Sequence, residues 1–294
     1  MFYRRKVILS ILQAFGGELE KFQLQKLLML FTMQQNKPSY YFVPYKYGCY
    51  SFQANADLNT MKKYEWVEEG ELYWKIITKK SYKNELDPID KKALIELQKN
   101  FIGKSSDNLI RHTYLNFPYY AIKSKIAHRL LNESQLKRVK ENVPQSSKFA
   151  LFTIGYEGIS IEQYINKLLK EDVKVLCDVR KNSFSMKYGF NKSQLEMVCK
   201  GVGIQFLHIP EVGIESSKRK ELKTQSDYDL LFEDYKHKVI PETLSQQEQI
   251  VNLLEQNHRV AITCFEKDIC QCHRKPLSEA IHNLLQSKYK LIHL

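Results

Sequence analysis

No apolar run in this chain approaches the roughly 20 residues that a helix needs to span a bilayer, so no membrane-spanning segment is expected. Cysteine is sparse. Six in 294 residues do not make the disulfide framework of a small secreted fold, and thiols in so long a chain fit a reducing compartment. Three familiar motifs are also missing: the phosphate loop Gly-x4-Gly-Lys-Ser/Thr, the dinucleotide turn Gly-x-Gly-x-x-Gly and the metalloprotease helix His-Glu-x2-His. Their absence removes three common routes to phosphate, dinucleotide and zinc chemistry, and no motif names a cofactor. The start, MFYRRKVILSILQAFGG, has the basic head and apolar stretch of a secretion signal. However, Val7–Leu12 is short, Gln13 interrupts it, and no small-residue cleavage motif follows. A first helix and a cytoplasmic location are expected.

The chain is 43% hydrophobic and 27% charged, which suits a globular protein with a sizeable core. Its net charge of +12 is unevenly placed. Residues 1–147 hold 24 Lys/Arg against 14 Asp/Glu, whereas residues 148–294 hold 21 against 19. That asymmetry suggests a polyanion-facing module, DNA favoured, joined to a near-neutral one. A solvated lysine surface is the plainer alternative.

In the first half, Val7, Ile8, Ile11, Leu12 and Phe15 have helical spacing, and Gly16-Gly17 stops the run. A second helix over Phe22–Met33 turns Leu24, Leu27, Leu28 and Phe31 inward and Lys21 and Lys26 outward. An aromatic, partly β-like stretch runs from Tyr40 to Tyr50. A third helix over Ser51–Lys63 is followed by a strand–turn–strand through Ile76. Helix, helix, helix, hairpin is the order of a winged helix, expected over 1–80. Residues 81–147 read as a helical connecting region that includes a basic helix to about Leu131, with Asn142–Lys148 as the linker. Lys26, Lys46 and Tyr47 are candidate nucleic-acid contacts, since lysines meet phosphates and aromatics stack on bases. Packing in a small core is the competing role for such aromatics.

In the second half, 148–294, strands and helices alternate. Strands are expected at Phe149–Ile154, Val173–Cys177, Ile204–His208, Arg259–Cys264 and Lys290–Leu294. Ser160 and Gln163 have capping-box spacing, which predicts a helix through Leu169. A helix over Ser193–Lys200 closes at Gly201, and another runs from Pro276 to about Ser287. The pattern predicts an α/β fold, a Rossmann-like, mainly parallel sheet with helices on both faces. In such a sheet, ligands bind at the strand carboxyl ends. Those ends carry Tyr156 and Glu157, Asp178 and Arg180, His208, and Cys264 and Glu266, and the loop after Cys264 adds Cys270, Cys272, His273 and Arg274.

Three chemistries suit this cluster. By type, Cys264, Cys270, Cys272 and His273 are zinc ligands, but adjacent Cys272 and His273 do not have the usual Cys-x2–4-Cys spacing, and no metal is expected. Catalysis is the second. Cys272, at a helix start beside His273 and Arg274, has the neighbours that make a thiolate. Asp178, Glu157 and Glu266 offer carboxylates for proton transfer, and Arg180 and Arg274 offer forks for a phosphate. On that reading Asp178, Cys264, Glu266, Cys272 and His273 carry the reaction, while Tyr156, Glu157, Arg180 and Arg274 bind the substrate, a small anionic ligand such as a nucleotide. The third is a structural polar network, with Cys177 and Cys199 as core residues and His208 as a satisfied loop histidine.

Two resemblances add to this reading. Leu24-Gln25-Lys26-Leu27-Leu28 with Phe42-Val43-Pro44-Tyr45-Lys46-Tyr47-Gly48 resembles the Panacea (SocA-like) antitoxin-type domain, although Cys49 stands where its members usually have proline. The resemblance implies a small helical, winged-helix-like module for protein or DNA contact. Thr153-Ile154-Gly155-Tyr156-Glu157-Gly158, Asp178-Val179-Arg180, Cys264-Phe265-Glu266 and Cys272-His273-Arg274 resemble the family called domain of unknown function 488. Lys181–Lys187 stands where that family has proline and a further arginine. The resemblance implies the fold more than the chemistry. The expected function is a nucleic-acid- or nucleotide-directed enzyme, and the alternative is a ligand-sensing regulator with an antitoxin-like DNA- or protein-binding module.

Overall fold

Ser51 begins one of the chain's well-defined helices by accepting the Ala54 N–H on its side chain, satisfying an amide that the first turn leaves unpaired. This and the other elements are taken from a computed structural model that describes residues 1–219, 222–285 and 289–294. Residues Met1–Val143 and Pro144–Leu294 form two compact units.

The first unit contains α1 (Tyr3–Ala14), β1 (Glu18–Glu20), α2 (Lys21–Thr32), β2 (Val43–Tyr45), β3 (Gly48–Tyr50), α3 (Phe52–Lys63), β4 (Val67–Glu69) and β5 (Tyr73–Ile76), then α4 (Pro88–Phe101), α5 (Ser106–Asn116), α6 (Ala127–Leu130) and α7 (Glu133–Glu141). The apolar stripes of α1 and α2 form its core, with Ile8, Ile11 and Leu12 in one cluster with Leu24, Leu28 and Phe31. Strands β4 and β5 form an antiparallel hairpin, and β1 joins β5 on the other edge, giving the order β1-β5-β4. Only three residues long, β1 offers no alternation for a sequence reading to find. Buried carboxylates tie the helices together. Asp57 of α3 accepts from Arg5 Nε (2.8 Å) and Tyr40 OH (3.0 Å), and Asp90 of α4 accepts from Tyr3 OH (2.7 Å).

Two expectations fail here. Lys26 does not face outward, being only 2% exposed with its ammonium under the β2–β3 hairpin. The basic helix to Leu131 reduces to a 3-10 turn at Pro118–Ala121 and the single turn of α6. Pro118 fixes its own φ and has no N–H to donate, which favours that break.

The second unit contains β6 (Ala150–Gly155), α8 (Ile161–Lys170), β7 (Val175–Asp178), α9 (Lys192–Val202), β8 (Gln205–His208), α10 (Gln225–Glu242), α11 (Leu244–Asn257), β9 (Arg259–Cys264), α12 (Arg274–Leu284) and β10 (Lys290–His293). Its five described strands form a parallel sheet in the order β10-β6-β9-β7-β8. Every residue of β6, β7 and β9 is buried, which is why these strands read as unbroken apolar runs. Leu151, Val175, Val260 and Ile262 pack against Phe232 of α10, Ile250 and Leu254 of α11, and Leu277 and Ile281 of α12. The Ser160 capping box forms as expected, with Gln163 returning to the Ser160 amide. Helix α9 runs past Gly201 and ends at Gly203, where φ of +76° suits a residue without Cβ. The expected helix end near Ser287 lies outside the described residues.

Candidate functional site

The parallel register places Gly155 beside Cys264 and Asp178 beside both Thr263 and His208. The polar groups after β6, β7, β8 and β9 therefore share one edge of the sheet. A cavity of about 290 Å³ opens there, lined by Tyr156, Arg180, Arg219, Cys264 and His273 among others.

Arg180 anchors one wall. It donates from Nε to Asp178 Oδ1 (2.7 Å), from Nη2 to Asp178 Oδ2 (2.6 Å) and from Nη1 to Tyr156 OH (2.7 Å). The fork-on-carboxylate geometry is the strong, directional form of the ion pair. Asp178 is 0% exposed and Arg180 only 4%. The Tyr156 ring stacks on Phe190, with centroids 4.2 Å apart and planes 9° from parallel. Two histidines fix the backbone beneath. His208 Nε2 donates to Arg180 O (2.9 Å), and His273 Nε2 donates to Val179 O (3.0 Å). His208 is thus the satisfied loop histidine of the plainer reading.

Arg219 also lines the cavity. It donates from Nη2 to His273 Nδ1 (2.6 Å) and from Nη1 to the Glu266 carboxylate. With His273 Nε2 already donating, Nδ1 is the acceptor. Burial pushes the Glu266 carboxyl up, but Arg219 together with hydrogen bonds from Cys272, Cys264 and its own backbone outweighs it, and the net is a lowered pKa. Among the described residues, the Arg219 Nε and Glu266 Oε2 atoms are buried without hydrogen-bond partners. Arg219 lies in a polar stretch, beside Lys218 and Lys220 in the sequence, and nothing in that stretch ties it to Glu266, 47 residues further along the chain.

Several expected site residues sit elsewhere. Arg274 is 1% exposed and points inward, donating from Nε to Cys272 Sγ (3.1 Å) and from Nη2 to Glu266 O (2.5 Å). It holds the 264–272 loop and does not line the cavity. Cys272 is fully buried, and burial together with neighbouring Cys264 pushes its thiol well above the usual range. Burial therefore opposes the activated thiolate expected at that helix start. Glu157 is exposed and accepts the Lys267 N–H (3.0 Å), capping a turn. Asp178 is spent on Arg180 and does not line the cavity. In the first unit, Lys46 and Tyr47 are exposed on the β2–β3 turn, whereas Lys26 is enclosed below them.

Cys264, Cys272 and His273 bring one donor atom each within 4.8 Å of one another, so adjacency of Cys272 and His273 does not prevent convergence. Cys270 is exposed and outside that group. Arg219 already occupies His273 Nδ1, and Arg274 lies on Cys272 Sγ. A divalent cation would contest both positions with guanidinium groups.

Residues 160–281 match the family described as Domain of unknown function DUF488. No curated protein and no solved structure matches the chain significantly. The DUF488 match takes in Asp178, Arg180, Arg219 and the whole 264–274 loop. It begins just after Thr153–Gly158, so that motif packs against the matched region from outside it. The match does not reach the first unit, and no comparison supports the Panacea-like resemblance expected there. Among the described residues no helix is long and apolar enough to cross a membrane.

Proposed function

We propose that the DUF488 half binds the phosphate of a nucleotide or phosphorylated sugar at the sheet edge and acts on it there. The carrying observation is the pair of guanidiniums, Arg180 and Arg219, that line one cavity of about 290 Å³, with Arg219 Nε buried and, among the described residues, without a hydrogen-bond partner. A phosphate oxygen would give that donor an acceptor, and guanidiniums are the side chains best matched to phosphate. Cys264, 3% exposed at the end of β9, is the nucleophile candidate that lines the cavity, and His273, held by Arg219 and Val179 O, borders it. The first unit holds nucleic acid on this reading. Its charge surplus, the winged-helix-like order of α1, β1, α2, α3 and the β4–β5 hairpin, and exposed Lys46 and Tyr47 support that role. A cytoplasmic location fits six free thiols.

A second reading, a ligand-sensing regulator, is favoured by one observation. Asp178 and Glu266 are each held by an arginine, and Cys272 is buried, so most of the expected acid–base groups are already committed. Incubating the full chain with nucleotides and with single- and double-stranded DNA, followed by mass spectrometry, separates the two. The enzyme reading expects a product that disappears in Cys264→Ala while nucleotide binding persists. Binding without product would leave the sensor, and neither binding nor product would remove both.

A further inference from the structure

A lysine on an amphipathic helix normally buries its stem and keeps its ammonium in water. Lys26 of α2 does not. Among the described residues its hydrogen bond goes to Cys49 O at 3.1 Å, and it forms no ion pair. Glu69 is taken by Lys21 and Lys62. An ammonium has three donors, so two are left without acceptors among the described residues, and burial pushes its pKa down.

The same lysine lines a cavity of about 240 Å³ between α2, the β2–β3 hairpin and β5. The walls are aromatic: Phe22, Tyr45, Tyr47, Tyr50 and Trp74. They are held by their own contacts, with Phe22 to Tyr47 at 4.7 Å and Tyr45 stacked on Tyr50 at 5.0 Å between centroids. Flat apolar walls select a ring, and a buried cation selects an anion. The volume is below the roughly 300–1,000 Å³ typical of drug-sized ligands, so a single ring fits and a nucleotide does not. Of the three lysines that line it, Lys21 is committed to Glu69 and exposed Lys46 lies over the Tyr45 ring, so Lys26 is the enclosed ammonium, which suits one negative charge better than the two of a phosphate.

We propose that this cavity binds a small aromatic monocarboxylate, with Lys26 as its counter-ion. The competing role is structural, the ammonium simply pinning the hairpin through Cys49 O.

Calorimetric titration of the full chain with benzoate and with benzamide, its uncharged analogue, tests the proposal. Benzoate should saturate one site per chain. Benzamide should bind at least about tenfold more weakly, because a hydrogen bond to a charged group is worth roughly 1.5–3 kcal/mol. Lys26→Met should remove the preference and keep or raise the Tm, since it deletes a buried charge that has no ionic partner. No saturable benzoate binding, equal affinity for benzamide, or benzoate binding unchanged in Lys26→Met would each overturn the proposal. The wild-type comparison of the two probes decides the matter even if the variant does not fold.

Discussion

Asp178→Ala is expected to destabilise the second unit by about 3–5 kcal/mol, the range seen when one partner of a buried ion pair is removed. Asp178 is fully buried and takes two charged hydrogen bonds from Arg180 plus the Arg180 N–H at 3.2 Å. Without the carboxylate, a guanidinium 4% exposed is left with Tyr156 OH as its remaining side-chain partner among the described residues. The loss is mainly this stranded charge, because forming the pair itself required desolvating both ions. A double variant, Asp178→Leu with Arg180→Met, should therefore be more stable than Asp178→Ala alone, while losing one wall of the anion cavity. Urea unfolding of the three proteins checks the order. A loss below about 1 kcal/mol for Asp178→Ala would mean that water reaches the pair, as at an exposed salt bridge.

The second large effect is expected at Gly155→Ala. A Cβ on Gly155 would fall 1.8 Å from Glu266 O and 3.0 Å from Arg274 Nη2. Neither can yield cheaply. Glu266 O accepts from Arg274, and the next carbonyl upstream, Phe265 O, accepts the amides of Tyr156 and Glu157. The loop must move as backbone, so the loss should reach about 4 kcal/mol or more, beyond ordinary overpacking. Gly158→Ala is the control. Its Cβ meets nothing within 4 Å, and only its φ of +77° opposes the change, at roughly 1 kcal/mol. Equal unfolding midpoints for the two variants would contradict the close approach of β6 to the 264–272 loop.

These two positions show what the sequence makes legible. The sheet is readable because β6, β7 and β9 are buried on both faces and appear as apolar runs ending in polar residues. That ending also points to the correct edge, and Tyr156, Arg180, Cys264 and His273 do meet there. Side-chain direction is less readable. Cys272 and Arg274 sit where a helix start would activate a thiol, yet the 3-10 turn Ile269–Gln271 precedes them and both are buried. Lys26 interrupts an apolar stripe, and a lone lysine there is ordinarily on the wet face. Only the hairpin folded over it reveals otherwise. Arg219 comes from a polar segment without periodicity, so its meeting with Glu266 and His273 depends on tertiary structure alone.

The most direct test of the anion site is calorimetric titration of the full chain with AMP, and with adenosine as the uncharged control, in the wild type and in Arg219→Leu. The expected result is one AMP site, adenosine at least about tenfold weaker, and AMP affinity lost in Arg219→Leu, which also unfolds at a lower midpoint because it strands the Glu266 carboxylate. AMP affinity equal to that of adenosine, or unaffected by Arg219→Leu, would contradict a phosphate site between Arg180 and Arg219.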